Sequence, residues 1–193
     1  MNDREIAKHE LLHIMAAALT VPFLDLKYFD AEVELTQTGG RAIVFPSDAG
    51  LKRLIEVPAV TMRAMSLGPV GMLKTTEVRA IIRSARLCPG DSCISDADKA
   101  LFQKYGGNLE RLTPIDVDVI CMAYFLARQT GLKGAIDAIV EAGSPVTLSL
   151  ASWLPRSVKE QAVKVRHATF KYLRDEGSNP PDWYERRSRK LYG

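Results

Sequence analysis

The sequence predicts a mostly α (α+β) fold with one small β-hairpin, on three observations. Apolar positions recur at helical spacing behind good N-caps, one stretch alternates with period two, and Pro or Gly marks the gaps between these segments. The 193 residues are 47% hydrophobic and 25% charged, which suits a globular chain with a core and excludes a collagen-like, coiled-coil or wholly disordered one. No stretch reaches the roughly 18–20 apolar residues of a membrane span. The longest, Ile14 to Leu24, is broken by Thr20 and Pro22, and Asp3, Glu5 and Glu10 precede it where a signal peptide would be basic. An intracellular, cytoplasmic protein is expected.

Asn2 to Leu19 reads as a helix, capped by Asn2 or Asp3, rich in alanine, and ended by Pro22. Val33 to Phe45 reads as a hairpin, with Gly39-Gly40 able to supply a φ > 0 turn. Helical segments follow at Ala49 to Ile55, Val60 to Leu67 and Thr75 to Leu87. Ser95, with Asp98 three residues on, resembles a capping box for a helix to Tyr105. Thr113-Pro114-Ile115-Asp116 starts a helix to about Gln129, and Lys133 to Ala142 is another. Ser144 to Pro155 is ambiguous between strand and loop, and Arg156 to Glu176 is helical. Residues 1–143 thus form a main domain, with 144–193 a helical extension packed on it.

Cys88, Cys93 and Cys121 are too few for a disulfide framework and lack the paired spacing of a zinc knuckle. The formal charge of +3 is unevenly placed: Pro155 to Gly193 carries ten Lys/Arg against five Asp/Glu. The expected role of this basic tail is a solvated terminus. Arg186-Arg187-Ser188-Arg189-Lys190 with Trp183, Tyr184 and Tyr192 offers contact with nucleic acid as the alternative.

One motif carries chemistry: His9-Glu10-Leu11-Leu12-His13, an H-E-x-x-H on the first helix. Residues four apart share a helix face, so both imidazoles can hold one Zn2+. Glu10 sits beside that face, where it can take a proton from a water that the ion acidifies. With three His and eleven Glu, a shuffled chain would contain the motif about once in several hundred trials. The metzincin extension is missing, because Ala16 and Leu19 stand where it needs Gly and His. His167 lies in the basic tail and reads as a surface residue, so the third ligand is expected to be a downstream carboxylate.

Ala7-Lys8-His9-Glu10-Leu11-Leu12-His13, then Thr38-Gly39-Gly40-Arg41-Ala42, then Ser95-Asp96-Ala97-Asp98-Lys99-Ala100 together resemble the peptidase domain of the FtsH-type zinc proteases. That resemblance, over about residues 1–143, implies a helical zincin-like domain and peptide-bond hydrolysis with Glu10 as general base. It also implies zinc held by His9, His13 and Asp96, with Asp91 and Asp98 as alternatives for the third ligand. The substrate class would be a peptide or unfolded protein, bound along the edge of the Ala42 to Phe45 strand or its partner. Leu12 departs from the family's usual Gly, and no G-x-x-x-x-G-K-[ST] phosphate loop occurs, so cleavage without ATP is expected. The competing expectation is a binding protein of this fold that has lost catalysis.

Overall fold

The computed structural model describes residues 2–18, 29–37, 39–46, 59–87, 94–128, 132–143 and 145–149. The helices expected at Ala49 to Ile55 and Arg156 to Glu176, the basic tail, Cys88, Cys93, Asp91 and His167 lie outside the described residues. Within them the chain is mostly helical with a three-stranded antiparallel sheet. Its elements in order are α1 (Asp3–Ala18), β1 (Phe29–Thr36), β2 (Gly39–Pro46), α2 (Ala59–Leu67), a 3-10 turn (Gly68–Met72), α3 (Thr75–Ser84), α4 (Asp96–Lys104), α5 (Pro114–Leu126), α6 (Leu132–Ala142) and β3 (Val146–Ser149).

Local chemistry sets most boundaries. The Asn2 side chain accepts from the Glu5 backbone N–H at 2.9 Å, which caps α1. α3 stops at Ser84 because Ala85 turns left-handed at φ 50°, short of the expected Leu87. The Ser95/Asp98 capping box forms as the spacing implies, and Thr113/Asp116 repeats it at α5, where Pro114 takes the first helical position. The hairpin is longer than expected at its outer end, and Gly39 and Gly40 lie inside β2 with no positive φ. Their glycine character is therefore not a turn requirement.

β1 is the central strand, in the order β2-β1-β3. Val33 pairs with Ala42 on one side and Val146 on the other. A segment assigned by sequence to the extension thus completes the main sheet: residues 146–149 turn out to be strand, because Thr147 and Ser149 alternate with the half-buried Val146 and Leu148.

Among the described residues, α1 packs against the sheet and α6 on one side and against α2, the 3-10 turn and α5 on another. One side, through Ala7, Leu11, Ile14 and Ala17, packs on Ala31, Val33 and Val44 of the sheet and Ile136 and Ile139 of α6. Its Ala16 joins a second core with Leu67, Val70, Phe102, Val117 and Ile120. At Gly68 an added Cβ would lie 2.2 Å from the Leu12 carbonyl oxygen and 2.8 Å from the His13 nitrogen, so the 3-10 turn rests backbone-on-backbone against the motif. Among the described residues no helix is long and apolar enough to cross a membrane.

Candidate metal centre

Burial on both flanks of α1 places three titratable side chains in the interior. Glu10 is 5% exposed and His13 6%, and the His9 side chain is 14% exposed. The one-turn spacing brings the two imidazoles edge-to-face, with ring centroids 4.8 Å apart and planes at 77°. Ligand atoms of His9, Glu10 and His13 all lie within 4.8 Å of one another, a group that could hold a metal ion.

A second carboxylate closes the site from across the fold. α4 packs against α2 and carries Asp98 two residues beyond the exposed Asp96 that starts the helix. One Asp98 oxygen lies 3.4 Å from His13 Nε2 and the other 3.8 Å from His9 Nε2. The carboxylate is held by the helix cap, in which the Ser95 hydroxyl donates to Asp98 Oδ2 at 2.7 Å and the Ser95 backbone N–H donates at 3.2 Å. A cap and a site thus share one residue, and the Ser-x-x-Asp spacing was its signal.

Asp96, the residue matching the family's third ligand, is placed differently. Its side chain is fully exposed, with an oxygen 3.4 Å from Lys99 Nζ on the same helix. An acid at that position favours the helix N-terminus without any metal. Of the sequence candidates, the fold brings His9, Glu10, His13 and Asp98 together, and leaves Asp96 facing solvent.

The hydrogen bond behind His13 decides what its front can do. Nδ1 lies 2.8 Å from the Met65 carbonyl oxygen, and a carbonyl only accepts, so Nδ1 carries the proton. Burial pushes the imidazole below its ordinary value, which the nearby Asp98 charge opposes without reversing. A neutral ring protonated on Nδ1 points the Nε2 lone pair at the Asp98 oxygen 3.4 Å away. Burial alone would raise Asp98, but His9, His13 and Ser95 outweigh it and hold the group below the usual carboxylate range. His13 Nε2 and an Asp98 oxygen thus face each other in the interior, beside the His9-Glu10-His13 group that could hold a metal ion.

Glu10 contrasts with Asp98. Burial drives its carboxyl up from 4.5 to about 7, a rise that His9 opposes and Asp98 adds to. One acid is tuned to stay ionised and the other to exchange a proton near neutrality, the kind of split that separates a ligand from an acid–base group. Comparison with protein-family models, with curated proteins and with solved structures finds no match to this chain.

Proposed function

We propose that the chain is a zinc-dependent peptidase in which His9, His13 and Asp98 hold the ion and Glu10 handles the proton. The observation that carries this reading is His13 Nε2 facing an Asp98 carboxylate oxygen while its Nδ1 rests on the Met65 carbonyl, beside the second imidazole of an H-E-x-x-H helix. Two imidazoles and one carboxylate suit zinc and leave a coordination position open. A zinc ion held there would supply Lewis-acid polarisation of the scissile carbonyl and would make a water molecule more acidic.

The chain's own residues do the rest. The Met65 carbonyl fixes the His13 tautomer, and Ser95 fixes the direction of Asp98. Glu10, with its proton affinity near neutral, accepts a proton from the attacking water and returns it to the leaving amine. The substrate is an extended peptide: β2 is an edge strand among the described residues, and its Gly40 backbone passes directly over Glu10. Pairing along that edge would lead a peptide backbone past the acid. The same arrangement favours unfolded protein as substrate, taken without nucleotide-driven unfolding.

The test is cleavage of casein by the zinc-loaded protein. Wild type should cut it, chelation should stop cleavage, and Glu10→Gln should retain zinc while losing about 10²–10⁴-fold in rate. Equal rates for both proteins would overturn the assignment of Glu10. A zinc-loaded wild type that binds casein without cutting it would favour a binding protein.

A further inference from the structure

Gly40 is itself exposed near the turn end of β2, but alternation sets its missing side chain on the face of Ala42 and Val44, opposite Leu35 on β1. A Cβ there would lie 2.6 Å from Glu10 Cγ, 2.8 Å from Glu10 Oε1 and 2.8 Å from Ile6 Cγ2. The neighbouring Gly39 has nothing within 4 Å of the same construction. Neither residue adopts a positive φ, so backbone conformation demands glycine at neither place.

We propose that Gly40 is a positioning residue for Glu10: the side chain missing from β2 is the space in which the Glu10 carboxylate is held. An alanine at 40 would displace Glu10, because its carboxylate hangs on a flexible chain, whereas Ile6 is packed into the core. The three atoms nearest the added Cβ belong to Glu10 and Ile6, and none to His9, His13 or Asp98. The cost would fall on proton transfer. This use of Gly40 rests on the peptidase reading, but its geometric core, the coupling of residues 10 and 40, does not.

The test compares Gly40→Ala with Gly39→Ala, alone and combined with Glu10→Ala. In metal-free protein unfolded by urea, Gly39→Ala should be neutral or slightly stabilising. Gly40→Ala should reduce the folding equilibrium constant by about tenfold or more, and the Glu10→Ala background should remove much of that loss. In zinc-loaded protein, Gly40→Ala should retain zinc and the KM for casein while kcat falls by at least about tenfold. An identical loss with and without Glu10, or none at all, would overturn the proposal. Should Gly40→Ala fail to fold, folding of the double variant supports the coupling and its failure refutes it. A wild type that binds zinc but never cuts casein, with the coupling intact, overturns the peptidase reading and leaves the placement of Glu10 by Gly40 standing.

Discussion

Replacing Glu10 by Gln should change how the stability of the metal-free protein depends on pH. In the fold the Glu10 carboxyl titrates at about 7, against 4.5 for a solvated glutamate, because burial penalises its charged form. The folded state therefore binds the proton more tightly than the unfolded chain does. The stability this contributes is fully present below about pH 4.5 and is lost as pH rises through about 7. At 1.36 kcal/mol per unit, the whole gap is worth about 3 kcal/mol, of which about 2–3 kcal/mol falls between pH ~5 and ~8. Gln is neutral throughout and nearly isosteric. The stability of the Gln variant minus that of wild type should then rise by about 2–3 kcal/mol over that interval. His13 and Asp98 run the opposite way: their folded affinities are lowered, so their contributions are present at higher pH and lost as pH falls. Both proteins share those groups, so the difference isolates Glu10. Urea unfolding followed by circular dichroism, with chelator present at each pH, measures it. A flat difference, or one that falls with pH, would mean that Glu10 titrates as a solvated acid and is not held in the interior.

Two further perturbations probe the scaffold. Ser95→Ala removes the hydroxyl that caps α4 and orients Asp98, and should cost about 1 kcal/mol in urea unfolding. Ser95→Gly should recover most of that stability but not the zinc affinity, since glycine caps without the donor to Asp98. Gly68→Ala sets a methyl against the Leu12 carbonyl, a backbone atom that cannot rotate away, and should destabilise by about 1–3 kcal/mol.

Local signals made much of the helical fold legible. The caps at Asn2, Ser95 and Thr113 and the stop at Gly143 depend on neighbours within four residues, and those helices form where expected. The third strand was ambiguous because its four residues acquire meaning only by pairing with β1, more than a hundred positions earlier. At the site, the histidine pair and Glu10 were readable because helical spacing alone puts them together. The choice between Asp96 and Asp98 was not. It depends on how α4 is rotated against α2, and either acid has a local excuse at a helix start. The Met65 carbonyl and the space at Gly40 left no trace in residue type, since one is backbone and the other resembles a turn glycine.

Metal content decides whether His9, His13 and Asp98 hold an ion. Purified wild type, Asp98→Ala, Asp96→Ala and His9→Ala/His13→Ala should be equilibrated with zinc, dialysed and measured by elemental analysis beside circular dichroism. One zinc per chain should remain in wild type and in Asp96→Ala, whose side chain faces solvent. Asp98→Ala should lose most of its zinc and the double histidine variant all of it, with all four proteins folded. Stoichiometric zinc in the double histidine variant, or loss in Asp96→Ala with retention in Asp98→Ala, would contradict this assignment of ligands.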